Sequence, residues 1–268
     1  MNKSSNNILR KDKVEDGILR LTLDDQENKN ALSKTMMEQL KDSLNSASLD
    51  DSVKVVVIAA TGDVFSSGHN LKEITNAREN EDAGEAYFNN LFNLCSSLMQ
   101  LIINCSKPVI AEVGGVATAA GCQLVASCDL AISSDNSTFA TPGVNIGLFC
   151  STPMVALSRN VKKKDAMKML LTGDMIDAKE AKRLSLINDY VPKEQLTESV
   201  NDLAKKIASK SLMTVKIGKE AFYKQFELSL SDAYEYTSKI MTENTLKEDA
   251  KEGISSFLEK RKPTWRDI

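Results

Sequence analysis

Histidine is nearly missing from this chain, which has one in 268 residues, His69. Its five cysteines, Cys95, Cys105, Cys122, Cys128 and Cys150, are odd in number and form no CxxC pair. A structural zinc site is therefore not expected, and the thiols read as reduced. No apolar run approaches the roughly 20 residues needed to cross a bilayer, so membrane insertion is not expected. The start, MNKSSNNILRKDK, is polar and basic; it lacks the apolar core of a secretory signal and is too short in amphipathic length to argue for a transit peptide. The formal net charge of −3 gives no electrostatic reason to bind nucleic acid or an anionic membrane surface. These absences lead to the expectation of an intracellular protein, cytoplasmic or, in a eukaryote, of the mitochondrial matrix.

What is present is an ordinary globular composition, 42% apolar and 26% charged, in a chain long enough for one large domain or a domain with an appended helical segment. GILRLTLD, residues 17 to 24, alternates as a half-buried strand does, with NILRKD before it as a hairpin partner. Helical spacing of Met36, Met37, Leu40 and Leu44 follows Ser33, a suitable N-cap. VKVVVIAAT, residues 53 to 61, is β-branched and short, the pattern of a strand buried on both faces of a parallel sheet. TNARENEDAGEA, residues 75 to 86, reads as a solvated segment. A helix through YFNNLFNLCSSLMQLIINC, a strand in VIAEVGGVA and a helix from small residues through Cys128 come next. DLAISSD and STFATP read as short strands, and the pattern after Pro142 is helical. Strands alternating with helices and then helices alone describe an α/β core with a helical C-terminal part.

Five segments in order carry a resemblance to the crotonase superfamily, the enoyl-CoA hydratase/isomerase family. They are NKNAL (28–32), FSSGHNLKE (65–73), KPVIAEVGGVATAAGCQLVASCDLAI (107–132), FATPGVNIGLF (139–149) and LLTGDMIDAKEAKRLSLIN (170–188). The C-terminal KEGISSFLEKRKPTW also fits. SSGHNLKE together with TAAGCQLVASCD and FCSTPMVAL most resembles the enoyl-CoA hydratase domain-containing protein 3 group. The resemblance implies a ClpP/crotonase-like spiral of ββα units, with a core over 1–200 and a helical segment over 201–268 that takes part in the CoA pocket and in assembly. It also implies a homotrimer or a dimer of trimers, an acyl-CoA thioester as substrate, and no separate cofactor.

The family holds the thioester oxygen between two backbone N–H groups, which map onto His69 and Ala120. Such a donor is typically worth about 3 to 4 kcal/mol to the transition state. By the same resemblance Lys29, Ala31, Ser67, Gly68, Asn70, Leu71 and Ala119 lie where the CoA is held, and Lys260 and Lys262, with Arg261 between them, are candidates for its phosphates. A solvated helix face is the alternative for those cations. Phe222 and Tyr223 border the pocket or belong to the core.

Two positions depart from the family pattern. Its two catalytic glutamates fall on Gln123 and Gly143, and neither an amide nor a glycine can take a proton at neutral pH. Classical hydration is therefore not implied. The remaining candidates each carry two readings. Cys150 is a thiol activated by a helix N-terminus, with thioesterase-like chemistry, or a small buried apolar residue. Ser151 is catalytic, or with Thr152 it caps the helix that Pro153 opens. The His69 ring is an acid, base or donor, or a bystander to its own backbone. Glu112 reads as structural, exposed at an edge or paired with a cation, while Asp63 and Glu73 read as solvated acids. A non-catalytic acyl-CoA binder is the alternative to an enzyme.

Overall fold

In the computed structural model, residues 7–267 are described; the first six residues of the polar N-terminal stretch lie outside them. The chain opens with a hairpin, β1 (Leu9–Val14) and β2 (Ile18–Leu23), antiparallel with Leu9 opposite Leu23. Asp16 and Gly17 turn it with φ of 68° and 78°. In α1 (Lys34–Leu49), Ser33 caps the N-terminus by accepting from Met36 N at 3.2 Å, and the expected apolar stripe is buried.

Three strand pairs then build the spiral. β3 (Val55–Ala60) is followed by β4 (Val64–Ser66) and then by α2 (Leu71–Ala77) and α3 (Glu85–Asn104). β5 (Val109–Val113) is followed by β6 (Val116–Thr118) and α4 (Ala120–Ser127). β7 (Leu130–Ser134) is followed by β8 (Thr138–Ala140), a 3-10 turn over Pro142–Ile146, and α5 (Pro153–Asn160). The first strand of each pair joins one sheet and the second joins another. Completing these sheets are α6 (Lys163–Thr172), β9 (Ile176–Asp177), α7 (Ala178–Arg183) and β10 (Asp189–Val191). The sheet orders are β1-β2-β3-β5-β7-β10 and β4-β6-β8-β9. The helices α8 (Leu196–Ala208), α9 (Leu212–Gln225), α10 (Leu230–Thr245) and α11 (Glu248–Leu258) finish the chain. This is the ββα spiral with a helical C-terminal segment; position 200 lies within α8.

The six-stranded sheet is covered on both faces. Val56 and Ile58 of β3 pack with α1 and α3, while Val55 and Val57 pack under Val200, Ala204 and Ala208 of α8. All four β3 residues have no solvent exposure, and each such side chain contributes about 1.5–3 kcal/mol over an exposed one.

The sequence pattern and the structure differ in three places. VIAEVGGVA is two strands in two sheets, because at Gly115 a Cβ would stand 2.1 Å from the Asp63 carbonyl oxygen, and the close approach breaks the run. The second face of β2 is not solvated, since α8 covers it: Thr22 is buried, and Arg20 pairs with Glu112 at 2.6 Å and donates to Asn201 at 2.8 Å. β9 and β10 are too short, at two and three residues, to show alternation within the helical second half. Residues 75–86 are largely exposed as expected, but their first three residues are helical and Asp82 accepts from Gly84 N and Ala86 N at the start of α3.

Candidate active site

Two chain segments lie side by side where the first ββα unit turns into α2. In the strap 28–34, Lys29 and Asn30 adopt left-handed φ of 56° and 49°. Asn30 is buried and spends its side chain on backbone: Nδ2 donates to the carbonyls of Thr61 and Val64 at 2.9 and 2.7 Å, and Oδ1 accepts from Asp25 N at 2.8 Å. It therefore fixes the strap to the end of β3 and to β4. Sequence reasoning passed over Asn30, although it stands inside NKNAL; an asparagine between Lys29 and Ala31 was the available signal.

The strap is zipped to residues 67–73. Ser67 N donates to Lys29 O at 3.1 Å, Leu32 N to Gly68 O at 2.7 Å, and Lys34 N to Glu73 Oε2 at 3.3 Å. His69 Nδ1 lies 3.2 Å from Leu32 O. Asn70 is the N-cap of α2, with Oδ1 accepting from Lys72 N and Glu73 N at 3.0 and 3.4 Å. An aspartate would cap equally well, which is why asparagine can stand there. Leu71 begins the helix half-exposed, whereas Ala31 is buried.

The second half of the site is the β6–α4 turn. Ala119 N donates to Ala140 O at 2.9 Å, and Ala119 itself adopts φ 51°, ψ −120°, a conformation strained for any residue with a Cβ. That turn makes Ala120 the first residue of α4, where helix N–H groups have no intrahelical acceptor. The two halves meet at Gly68, whose φ is +91°: a Cβ there would stand 3.1 Å from Ala120 N and 2.8 Å from Ala119 Cβ. Gly121 allows the same approach on its other side, since a Cβ would lie 2.3 Å from Ser66 O. Neither His69 N nor Ala120 N donates to a protein acceptor among the described residues. The structure thus brings together His69, Ala120, Gly68, Ala119, Ser67, Lys29 and Ala31.

The His69 ring is packed rather than open. It meets Phe92 of α3 edge to face, with centroids 5.6 Å apart and planes at 70°. Its Nε2 is buried without a hydrogen-bond partner among the described residues, and burial lowers the ring's pKa below the usual 6.5, against smaller opposing effects of the Leu32 contact and the Glu73 charge. Glu73 is not merely solvated: it accepts from Tyr87 OH at 2.8 Å.

Gln123 is buried in α4, and Cys95 of α3 lies 3.7 Å from its Oε1. At Gly143 a Cβ would stand 2.5 Å from Leu148 O and 2.9 Å from Cys150 Sγ, so the sulfur and the loop fill the space in which a larger side chain would begin. Of the two readings of Cys150 the buried one fits the structure: burial pushes the thiol pKa up, and a Gly143 backbone contact offsets this only partly. The capping reading of the next two residues is corrected. Ser151 and Thr152 do not cap α5 through their side chains: Thr152 makes no cap hydrogen bond, and Ser151 Oγ turns back to Phe149 O at 3.4 Å. Pro153 does open that helix; it has no N–H to satisfy, and the next two N–H groups donate to backbone, Met154 N to Cys150 O at 2.9 Å and Val155 N to Thr152 O at 3.2 Å.

Of the remaining candidates, Glu112 is paired as expected, with Arg20 and with Thr197 Oγ1 at 2.8 Å, though on an interior strand. Asp63 pairs with Lys193 at 2.6 Å. Lys260 and Lys262 lie on the exposed chain after α11 without ion pairs among the described residues, whereas Arg261 between them holds Glu252 and Glu259. Tyr223 donates to Asp129 at 2.8 Å beside the buried Lys219–Asp129 pair, and Phe222 is largely exposed. Both line a cavity of about 1110 Å³ between α9 and the ends of α3 and α4, away from the His69 and Ala120 N–H groups.

The enoyl-CoA hydratase/isomerase family model matches residues 13–268. The chain belongs to that family. Within the enoyl-CoA hydratase/isomerase family it is 50% identical over 251 residues to the human enoyl-CoA hydratase domain-containing protein 3, mitochondrial, covering 93% of this chain and 81% of the relative. The solved structure of the human protein superposes with a TM-score of 0.92 at 46% identity, over 96% of this chain and 100% of that one. An enoyl-CoA hydratase structure from Mycobacterium smegmatis gives the same TM-score at 43% identity, over 96% and 98%. These likenesses bear out the crotonase fold and the group to which the SSGHNLKE pattern pointed.

Proposed function

We propose that this chain binds acyl-CoA thioesters and polarises the thioester carbonyl between the N–H groups of His69 and Ala120, stabilising an enolate. The observation that carries this reading is the meeting of the two turns at Gly68: a Cβ there would stand 3.1 Å from Ala120 N at the start of α4, and neither Ala120 N nor His69 N, the next residue after Gly68, has a protein acceptor among the described residues. Lys29, Ala31, Ser67, Asn70, Leu71 and Ala119 form the surrounding wall, and Lys260 and Lys262 are the proposed phosphate contacts.

Hydration of a plain enoyl-CoA is proposed to be very weak. Adding water across the double bond needs a group that takes a proton from water and one that gives a proton to carbon. The two positions aligned with the family's glutamates are Gln123 and Gly143, and the packing of Cys150 against Gly143 supports a site without that second carboxylate. A non-catalytic acyl-CoA binder is the second reading, favoured by the same packing. Thioester hydrolysis through Cys150 is disfavoured, because a buried thiol with a raised pKa supplies little thiolate.

Titration of the purified protein with butyryl-CoA, combined with a crotonyl-CoA hydration assay, tests the proposal. Binding with negligible hydration is expected. No affinity for the thioester overturns both readings, and hydration near the enzyme median of about 10 per second overturns the assignment of Gln123 and Gly143. A mitochondrial placement is supported by the names of the relatives, which are described as mitochondrial. Assembly as a homotrimer or dimer of trimers is supported by the apolar side chains left exposed on α9 to α11, including Phe226, Leu230, Tyr234, Met241 and Phe257.

A further inference from the structure

We propose that the His69 ring is a positioning residue for its own backbone: by clasping the Leu32 carbonyl it fixes the direction of the His69 N–H that polarises the thioester. This rests on the acyl-CoA reading above.

Leu32 and the Gly68–His69 pair are joined twice in opposite senses. Leu32 N–H donates to Gly68 O at 2.7 Å, and His69 Nδ1 meets Leu32 O at 3.2 Å. The peptide between Gly68 and His69 contains both the carbonyl held by Leu32 and the N–H aimed at the ligand. Because a peptide is planar, fixing its oxygen and the following side chain fixes the orientation of that N–H. Gly68, at φ +91°, supplies no Cβ to restrict this peptide, so the clasp does so instead.

The clasp also specifies the ring's protonation. A carbonyl oxygen only accepts, so Nδ1 carries the hydrogen and Nε2 holds a lone pair. Nε2 is the ring nitrogen that is buried without a partner among the described residues, and the ring packs at a steep angle against Phe92. A polar ring in this apolar niche, with one nitrogen unsatisfied, is costly compared with a phenyl ring of similar shape. What histidine offers that phenylalanine does not is the single donor at Nδ1, and that donor is used on Leu32.

Two measurements test the assignment. The chain has one histidine, so ring nitrogen-15 NMR reports a single site. At pH 7.5 the ring should be neutral with Nδ1 protonated and Nε2 bare; a ring protonated at Nε2 overturns the proposal whatever the variants do. The second measurement is isotope-edited infrared spectroscopy of butyryl-CoA carrying carbon-13 at the thioester carbonyl, bound to the wild type and two variants. His69→Asn places an amide donor near the Nδ1 position without the ring, and His69→Phe keeps the ring without the donor.

The bound wild type should show a downshifted carbonyl stretch. His69→Asn should keep that shift, and His69→Phe should lose at least half of it while losing no more than about tenfold in affinity. If His69→Phe retains the shift, or His69→Asn loses it while His69→Phe does not, the ring acts only by filling space and the clasp is refuted. Wild-type binding without any shift refutes the oxyanion reading and the clasp together, whereas absence of binding refutes the acyl-CoA reading from which both follow.

Discussion

Replacing Ala119 by glycine should stabilise this protein, although it removes a side chain from a tightly packed turn. Ala119 holds φ 51°, ψ −120°, where β6 turns sharply into α4 while its own N–H stays bonded to Ala140 O at 2.9 Å. A residue with a Cβ in such a region costs about 1–3 kcal/mol. Glycine relieves that strain but gives the unfolded chain more freedom, a penalty of about 0.4–1 kcal/mol. The lost methyl is half-buried, worth less than the roughly 0.8 kcal/mol of a fully buried methylene. With the strain at its middle value, the balance favours Ala119→Gly by about 1 kcal/mol. Urea unfolding, read as a higher midpoint at unchanged slope, measures it. A variant that unfolds at lower urea shows that the Ala119 contacts outweigh the backbone strain, and the account of this turn then fails.

Three further expectations follow from other parts of the molecule. Arg20→Met strands Glu112 among buried neighbours and should cost about 3–5 kcal/mol in chemical denaturation, while adding Glu112→Leu should recover part of that loss. The His69 pKa is lowered by folding, so between about 6.5 and its folded value the unfolded state binds more protons; stability conferred above pH 6.5 is therefore lost as pH falls through that window. His69→Phe should lack this decline when the two proteins' unfolding curves are compared between pH 7 and 5. Cys150 should alkylate slowly with iodoacetamide at pH 7.5 relative to a free thiol, since burial raises its pKa; rapid labelling would contradict the packing against Gly143.

The strands and helices with strong period were legible because local pattern and tertiary environment agree. Val55 to Ile58 are buried on both sides as their β-branched run implies, and Ser33 caps α1 as its position implies. The division of VIAEVGGVA between two sheets was not legible, because it depends on Asp63 O approaching Gly115, a contact between residues far apart in sequence. The two glycines were the local trace of it. Within the proposed site, motif resemblance pointed to the N–H groups of His69 and Ala120, but not to the work of Asn30, whose three hydrogen bonds reach residues 25, 61 and 64. The sequence left Cys150 between an activated thiol and a small buried residue, because it does not show what buries the sulfur. Desolvation is a property of the assembled core, and no spacing in the sequence reports it.

Gln123 and Gly143, the positions proposed to stand where the family has its glutamates, differ physically, and the difference predicts how readily a carboxylate could be placed at each. Glutamate has nearly the shape of glutamine, so Gln123→Glu requires only that a buried carboxyl be tolerated beside Cys95, at the expense of a raised pKa. Gly143→Glu is another matter. Its Cβ alone would stand 2.5 Å from the Leu148 carbonyl, which is backbone and cannot swing aside, and Leu148 N–H is itself bonded to Gly143 O at 2.9 Å. The loop 143–150 must therefore move before the side chain enters. Gln123→Glu should fold and bind butyryl-CoA; the double variant with Gly143→Glu should lose stability by more than the 1–3 kcal/mol typical of overpacking, and should not gain crotonyl-CoA hydration. A double variant that folds normally and hydrates crotonyl-CoA would show that the loop yields easily, and that glycine at 143 rather than the packing behind it is what removes the second carboxylate.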